Sequence, residues 1–83
     1  MSPSQWRKDR QLSQRDAAIL AGISGKNPAR TWNRWELGER QPPIRVVAKI
    51  EAESDGRVSA RAWADLREAF MTRLTAPAAV SSE

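Results

Sequence analysis

The 83-residue chain contains no cysteine and no histidine. Without thiols it has neither disulfides nor thiolate metal ligands. Without imidazole it has no histidine zinc site, no histidine general base and no Ser-His-Asp triad. Its carboxylates do not stand in pairs beside a substrate-pocket motif, so an enzyme is not expected. Nor is a metal, a cofactor or a small-molecule ligand. No apolar run approaches the length of a membrane span, and Met1-Ser2-Pro3 does not open a signal peptide. The expectation is a cytoplasmic protein with no membrane partner. Strand-like alternation and internal repeats are also missing. A chain this short makes one small domain with a limited core, so it needs compact helical packing or a second subunit.

The charge that is present is unevenly placed. Residues 1–49 carry ten Lys/Arg against four acids, giving +6, while residues 50–83 carry four Arg against six acids, giving −2. A basic N-terminal part beside a mildly acidic C-terminal part suits a polyanionic partner at one end.

Punctuation residues divide the chain into five helices. Ser2 caps the first, with Pro3 at its first position and Gln5 completing an S-x-x-Q box; Met1 and Trp6 are spaced as a hydrophobic staple. Ser13 caps the second, with Asp16 as box partner; Ala17, Ala18, Leu20 and Ala21 form its apolar face, Gly22 stops it and Ile23 tucks under the turn. Two caps compete for the third. Ser24 would place Pro28 inside the helix, where it removes a hydrogen bond, whereas Asn27 places Pro28 at the favoured first position. The helix is therefore predicted over 28–37, capped by Asn27 and ended by Gly38. The fourth follows Gln41-Pro42-Pro43, with Ile44, Val47, Ala48 and Ile50 as its apolar set and Arg45 and Lys49 outward. Asp55-Gly56 marks a turn. Ser59 then caps a fifth helix over about 60–73, whose stripe is Trp63, Leu66, Phe70 and Leu74. Residues 1–75 form the domain, and the aperiodic segment 76–83 is expected to be a disordered tail.

The run Leu12-Ser13-Gln14-Arg15-Asp16-Ala17-Ala18, then Ala21-Gly22-Ile23-Ser24, then Arg34-Trp35-Glu36-Leu37-Gly38-Glu39-Arg40 with Pro42, resembles the helix-turn-helix of the Cro and lambda-repressor-like (XRE-type) family of small phage and bacterial regulators. The resemblance covers roughly residues 3–55. It implies an all-α, five-helix domain of the lambda-repressor-like DNA-binding type. The turn at 24–28 is longer than the family's compact one, which leaves open the phase of the third helix and the choice among Asn27, Ala29 and Arg30 at its entrance.

A helix-turn-helix lays its second helix in the major groove while the first crosses the backbone, so that helix needs one buried and one presented face. Trp32, Trp35 and Thr31 match core positions. Asn27, Ala29, Arg30, Asn33 and Arg34 are the expected base readers: Arg bonds a guanine edge with two donors, Asn does the same for adenine, and Ala packs on a thymine methyl. Gln14, Arg15, Lys26, Arg40 and Arg45 are the expected phosphate contacts, Gln14 also bracing the recognition helix as its family counterpart does. Glu36, repelled by phosphate, is expected in a structural ion pair or cap. The implied function is a sequence-specific repressor of double-stranded DNA. It is dimeric through Phe70, Met71 and Leu74, autoregulating a phage or bacterial operon by occlusion. Two alternatives share these residues: an antitoxin or protein-interaction module that also binds DNA, and an autorepressor of an anti-CRISPR operon.

Overall fold

The computed structural model describes residues 1–75, which form five α-helices and, among the described residues, no strand: α1 (Pro3–Asp9), α2 (Gln14–Leu20), α3 (Pro28–Leu37), α4 (Ile44–Glu53) and α5 (Ala60–Thr75). The tail expected at 76–83 lies outside the described residues. No helix among them is long and apolar enough to cross a membrane.

The helix starts are local chemistry. The Ser2 and Ser13 hydroxyls accept from the backbone N–H groups of Gln5 and Asp16, at 3.1 and 3.0 Å, each satisfying a donor the helix cannot. The Gln5 side chain does not reach back to complete the box; it donates forward to Asp9 at 2.9 Å. Asn27 occupies the cap position of α3 without a side-chain cap bond. Pro28, with no N–H to satisfy, carries that start alone.

The first four helices end alike. A left-handed residue follows each one: Gln11, Gly22, Gly38 and Asp55, with φ of 58, 90, 81 and 54°. The next N–H bonds back across the last turn: Leu12 to Arg7 O, Ile23 to Ala18 O, Glu39 to Arg34 O and Gly56 to Glu51 O, at 2.8–3.0 Å. This is the Schellman arrangement, which satisfies carbonyls that have no partner inside the helix. Ser54 locks the last of these turns. Its hydroxyl, buried, donates to Glu51 O and accepts from Val58 N–H at 3.0 Å.

The core is built on tryptophan. Trp6, Trp32, Trp35 and Trp63 are all buried, with Ala17, Ala18, Ala21, Val46, Ile50 and Val58 filling around them. Trp32 is central: its ring centroid lies 6.4 Å from Trp6 and 5.8 Å from both Trp35 and Trp63, edge-on to the latter two. Such tilted and edge-to-face pairs suit the ring quadrupoles. The alanines of α2 let it approach α3 closely, and α5 closes the other side against α3 and α4.

Helix α4 corrects the sequence reading. Its buried residues are Val46 and Ile50; Val47 is half-buried, Ala48 is exposed and Ile44 is 86% exposed. At 100° per residue Ile44 and Ala48 stand roughly 160–200° from Val46, on the opposite face. Arg45 and Lys49 do face outward. Along α5, Trp63 is buried and Leu66 half-buried, while Leu74 is 63% exposed, so the stripe leaves the core toward its C-terminal end.

Candidate functional site

Helix α3 is divided along its length. Pro28, Trp32 and Trp35 are buried. Arg30 and Leu37 are exposed, and Asn33 and Arg34 half-buried. At 100° per residue these four fall within a sector about 100° wide, opposite the tryptophans. Leu37, 48% exposed at the end of this stripe, has no place in the sequence-based site. Its spacing of three from Arg34 and seven from Arg30 was the signal available. Ala29 lies half-buried beside the stripe, and Thr31 is likewise only half-buried.

One carboxylate fixes α3 to the helices before it. Glu36, whose side chain is 8% exposed, accepts from Arg7 Nε at 2.6 Å and Nη2 at 3.3 Å. It also accepts from Trp32 Nε1 and from Gln14 Nε2, the latter at 3.2 Å. A carboxylate only accepts, so the Gln14 amide must turn its nitrogen toward Glu36. The second proton of that nitrogen goes to Asn33 Oδ1 at 2.9 Å, which in turn leaves the Asn33 nitrogen pointing away from Gln14. Gln14 therefore braces α3 from the start of α2. Both its side-chain protons are committed inside the protein, and only its carbonyl oxygen remains for an external partner. Arg7 reaches further, donating to Leu12 O at 3.0 Å, so α1, the following turn and α3 meet on one guanidinium.

The remaining site residues surround this unit. Asn27 and Lys26 are exposed in the turn before α3, where Gly25 has a φ of 130°. Arg15 is exposed on α2 and Arg40 after α3. Arg45, exposed on α4, brings its guanidinium to about 4.0 Å from where a side chain on Gly22 would begin, beside the α2–α3 turn. Among the described residues the ion pairs are Arg7–Glu36, Lys49–Glu53 and Arg61–Asp65, and none uses Arg15, Lys26, Arg30, Arg34, Arg40 or Arg45. These six cations make no ion pair with an acid among the described residues. By contrast Arg61, exposed on α5, has its guanidinium pKa raised above the ordinary value by the hydrogen bond to Asp65 and by that carboxylate's charge.

The far end of α3 is held by α5. Arg67 Nη1 donates to Gly38 O at 3.2 Å and to Glu39 O, and Arg73 Nη2 donates to Leu37 O at 3.5 Å while stacking over Phe70. Cations at a helix C-terminus complement its dipole. Phe70, half-buried, lies against Gly38, whereas Met71 and Leu74 point to solvent.

No protein-family model, curated protein or solved structure matches the chain.

Proposed function

We propose that the protein is a Cro-like, sequence-specific binder of double-stranded DNA that represses transcription by occluding a promoter. The observation that carries this reading is the division of α3: two tryptophans anchor one side while Arg30, Asn33 and Arg34 line the other, with no acid paired to them among the described residues. An α-helix of this kind fits the major groove, where guanidinium and amide groups meet base edges. Asn27 and Ala29 flank its entrance. Arg15, Lys26, Arg40 and Arg45 supply the surrounding positive charge, suited to phosphates. Gln14 contributes mainly by holding Asn33, since its amide protons are already engaged. A cytoplasmic setting in a bacterium, with the gene on a phage or bacterial replicon, goes with this reading.

Fluorescence anisotropy against the gene's own upstream DNA and a shuffled duplex tests it. A preference of about 100-fold or more for the upstream duplex is the expected result, since specific binding typically exceeds non-specific binding by about a thousandfold or more. Arg34→Ala should cost about 1–3 kcal/mol on the preferred duplex and relax its sequence preference, whereas Arg45→Ala should weaken all duplexes alike. Equal, weak binding of both duplexes by the wild-type chain would instead direct attention to a protein partner, as an antitoxin would have.

We further propose that the protein acts as a homodimer through the end of α5. Met71 and Leu74 are 41% and 63% exposed on one side of that helix, beside Phe70. A second copy would cover them and set two α3 helices on half-sites about one DNA turn apart. Sedimentation at DNA-binding concentrations should give twice the chain mass of 9.3 kDa; a purely monomeric species on and off DNA would remove this part of the reading.

A further inference from the structure

We propose that Arg67 of α5 and Arg40 of the loop after α3 together grip a phosphate group, a backbone phosphodiester of the bound duplex. This rests on the DNA-binding reading above and adds a helix that the motif does not include. Between the two residues lies an open cavity of about 500 Å3 lined by Glu39, Arg40, Gln41 and Arg67.

The two guanidiniums differ in how they are held. Arg67 is pinned from beneath: its Nη1 is committed to Gly38 O and Glu39 O, while Nε and Nη2 have no acceptor among the described residues. A guanidinium fixed in this way presents its remaining donors as a rigid fork, the geometry that matches phosphate oxygens. Little side-chain freedom is left for it to lose on binding. Arg40 is exposed and has no acid partner among the described residues, and its backbone is tied to Arg34 O at 3.3 Å. The Gln41 amide adds a neutral donor to the rim. Glu39 is the single acid of the lining, outnumbered by the two arginines. The cavity stands at the C-terminal end of α3, at the opposite end from Lys26 and Asn27. A duplex lying along the exposed stripe is thereby held at both ends of the helix.

The test is the salt dependence of duplex binding by the full chain, measured for Arg40→Gln, Arg67→Met, Arg67→Lys and Glu39→Gln. Each lost phosphate contact lowers the slope of log K against log salt by about 0.9. Arg40→Gln and Arg67→Met are each expected to show this decrease on specific and shuffled duplexes alike. Arg67→Lys should retain the slope, and Glu39→Gln should tighten binding at every salt concentration. A purely structural Arg67 would lower the melting temperature of Arg67→Met and leave its slope untouched, which overturns the proposal. Should Arg67→Met fail to fold, Arg40→Gln and Glu39→Gln decide: an unchanged slope with an unchanged affinity also overturns it. Inorganic phosphate, titrated without DNA while the arginine Nε–Hε signals are followed by NMR, separates the two readings. Saturable shifts at Arg40 and Arg67 in a protein that binds no duplex would sink the DNA reading and keep the anion site. No shifts and no duplex binding would remove the site.

Discussion

Gly38→Ala is expected to destabilise the fold by roughly 3–5 kcal/mol, a large fraction of the stability of a domain this size. Two independent causes add. The backbone at Gly38 has a φ of 81°, where a side chain costs about 1–2 kcal/mol. A Cβ there would also overlap the carbonyl oxygen of Leu66, stand 2.6 Å from its carbonyl carbon and 3.1 Å from the Phe70 Cβ. These are mostly backbone atoms of α5 and cannot rotate aside. Helix α5 would have to withdraw, taking with it the Arg67 and Arg73 bonds to the end of α3. Gly56 supplies the control, because its φ is also 81° but a Cβ there meets nothing within 4 Å. Gly56→Ala should therefore cost only the conformational part. Urea unfolding of the two variants measures the difference directly; equal losses would mean that the close approach of α5 to Gly38 contributes nothing.

Glu36→Ala is expected to cost about 3–5 kcal/mol, the range for removing one partner of a buried ion pair. The substitution strands Arg7, whose side chain is 14% exposed, and leaves the indole N–H of Trp32 without its acceptor. It also releases Gln14, so Asn33 loses its brace. The loss should come chiefly from the uncompensated charge and donors, not from missing attraction. Arg7→Met combined with Glu36→Met should therefore be more stable than Glu36→Ala alone. A double-mutant cycle between positions 7 and 36 should return a coupling of about 1–3 kcal/mol. A single-variant loss below about 1 kcal/mol, with no coupling, would show that the pair contributes no more than a surface salt bridge.

Much of the fold could be read from the chain because its signals are local. Ser2, Ser13, Pro28 and Gly38 each act on the backbone within a few residues, and the helices begin and end where these residues put them. Burial of Trp32, Trp35 and Trp63 followed from helical spacing. The buried face of α4 is not legible in the sequence because apolar residues at 44, 46, 47, 48 and 50 surround it almost completely. Its periodicity then has no single phase, and only the neighbouring helices select Val46 over Ile44. The second role of Gly38 was hidden for a related reason. A glycine stop is visible in any sequence, but the crossing of Leu66, 28 positions later, is a property of tertiary packing. At the candidate site, the placement of Arg30 and Arg34 on the face opposite the tryptophans was legible from one helix's pattern. The brace was legible only in part: resemblance pointed to Gln14, but nothing local links it to Glu36, 22 positions on, or Glu36 to Arg7, 29 positions back. Leu37 is not legible as part of the stripe, because an apolar residue at a helix end reads as core by default.

The clustering of three indoles around that of Trp32, with centroid separations of 5.8–6.4 Å, makes the core a single optical object. Transitions on rings this close mix, so the chain's circular dichroism carries an aromatic contribution superimposed on its helical signal, and helicity taken from ellipticity alone is distorted. Excitation migrates among the rings before emission, so fluorescence reports one shared environment and is depolarised even in a rigid molecule. All four rings are buried away from the exposed stripe of α3. Intrinsic emission is thus a sensitive reporter of unfolding and nearly blind to a ligand lying along that stripe, which calls for a dye on the duplex.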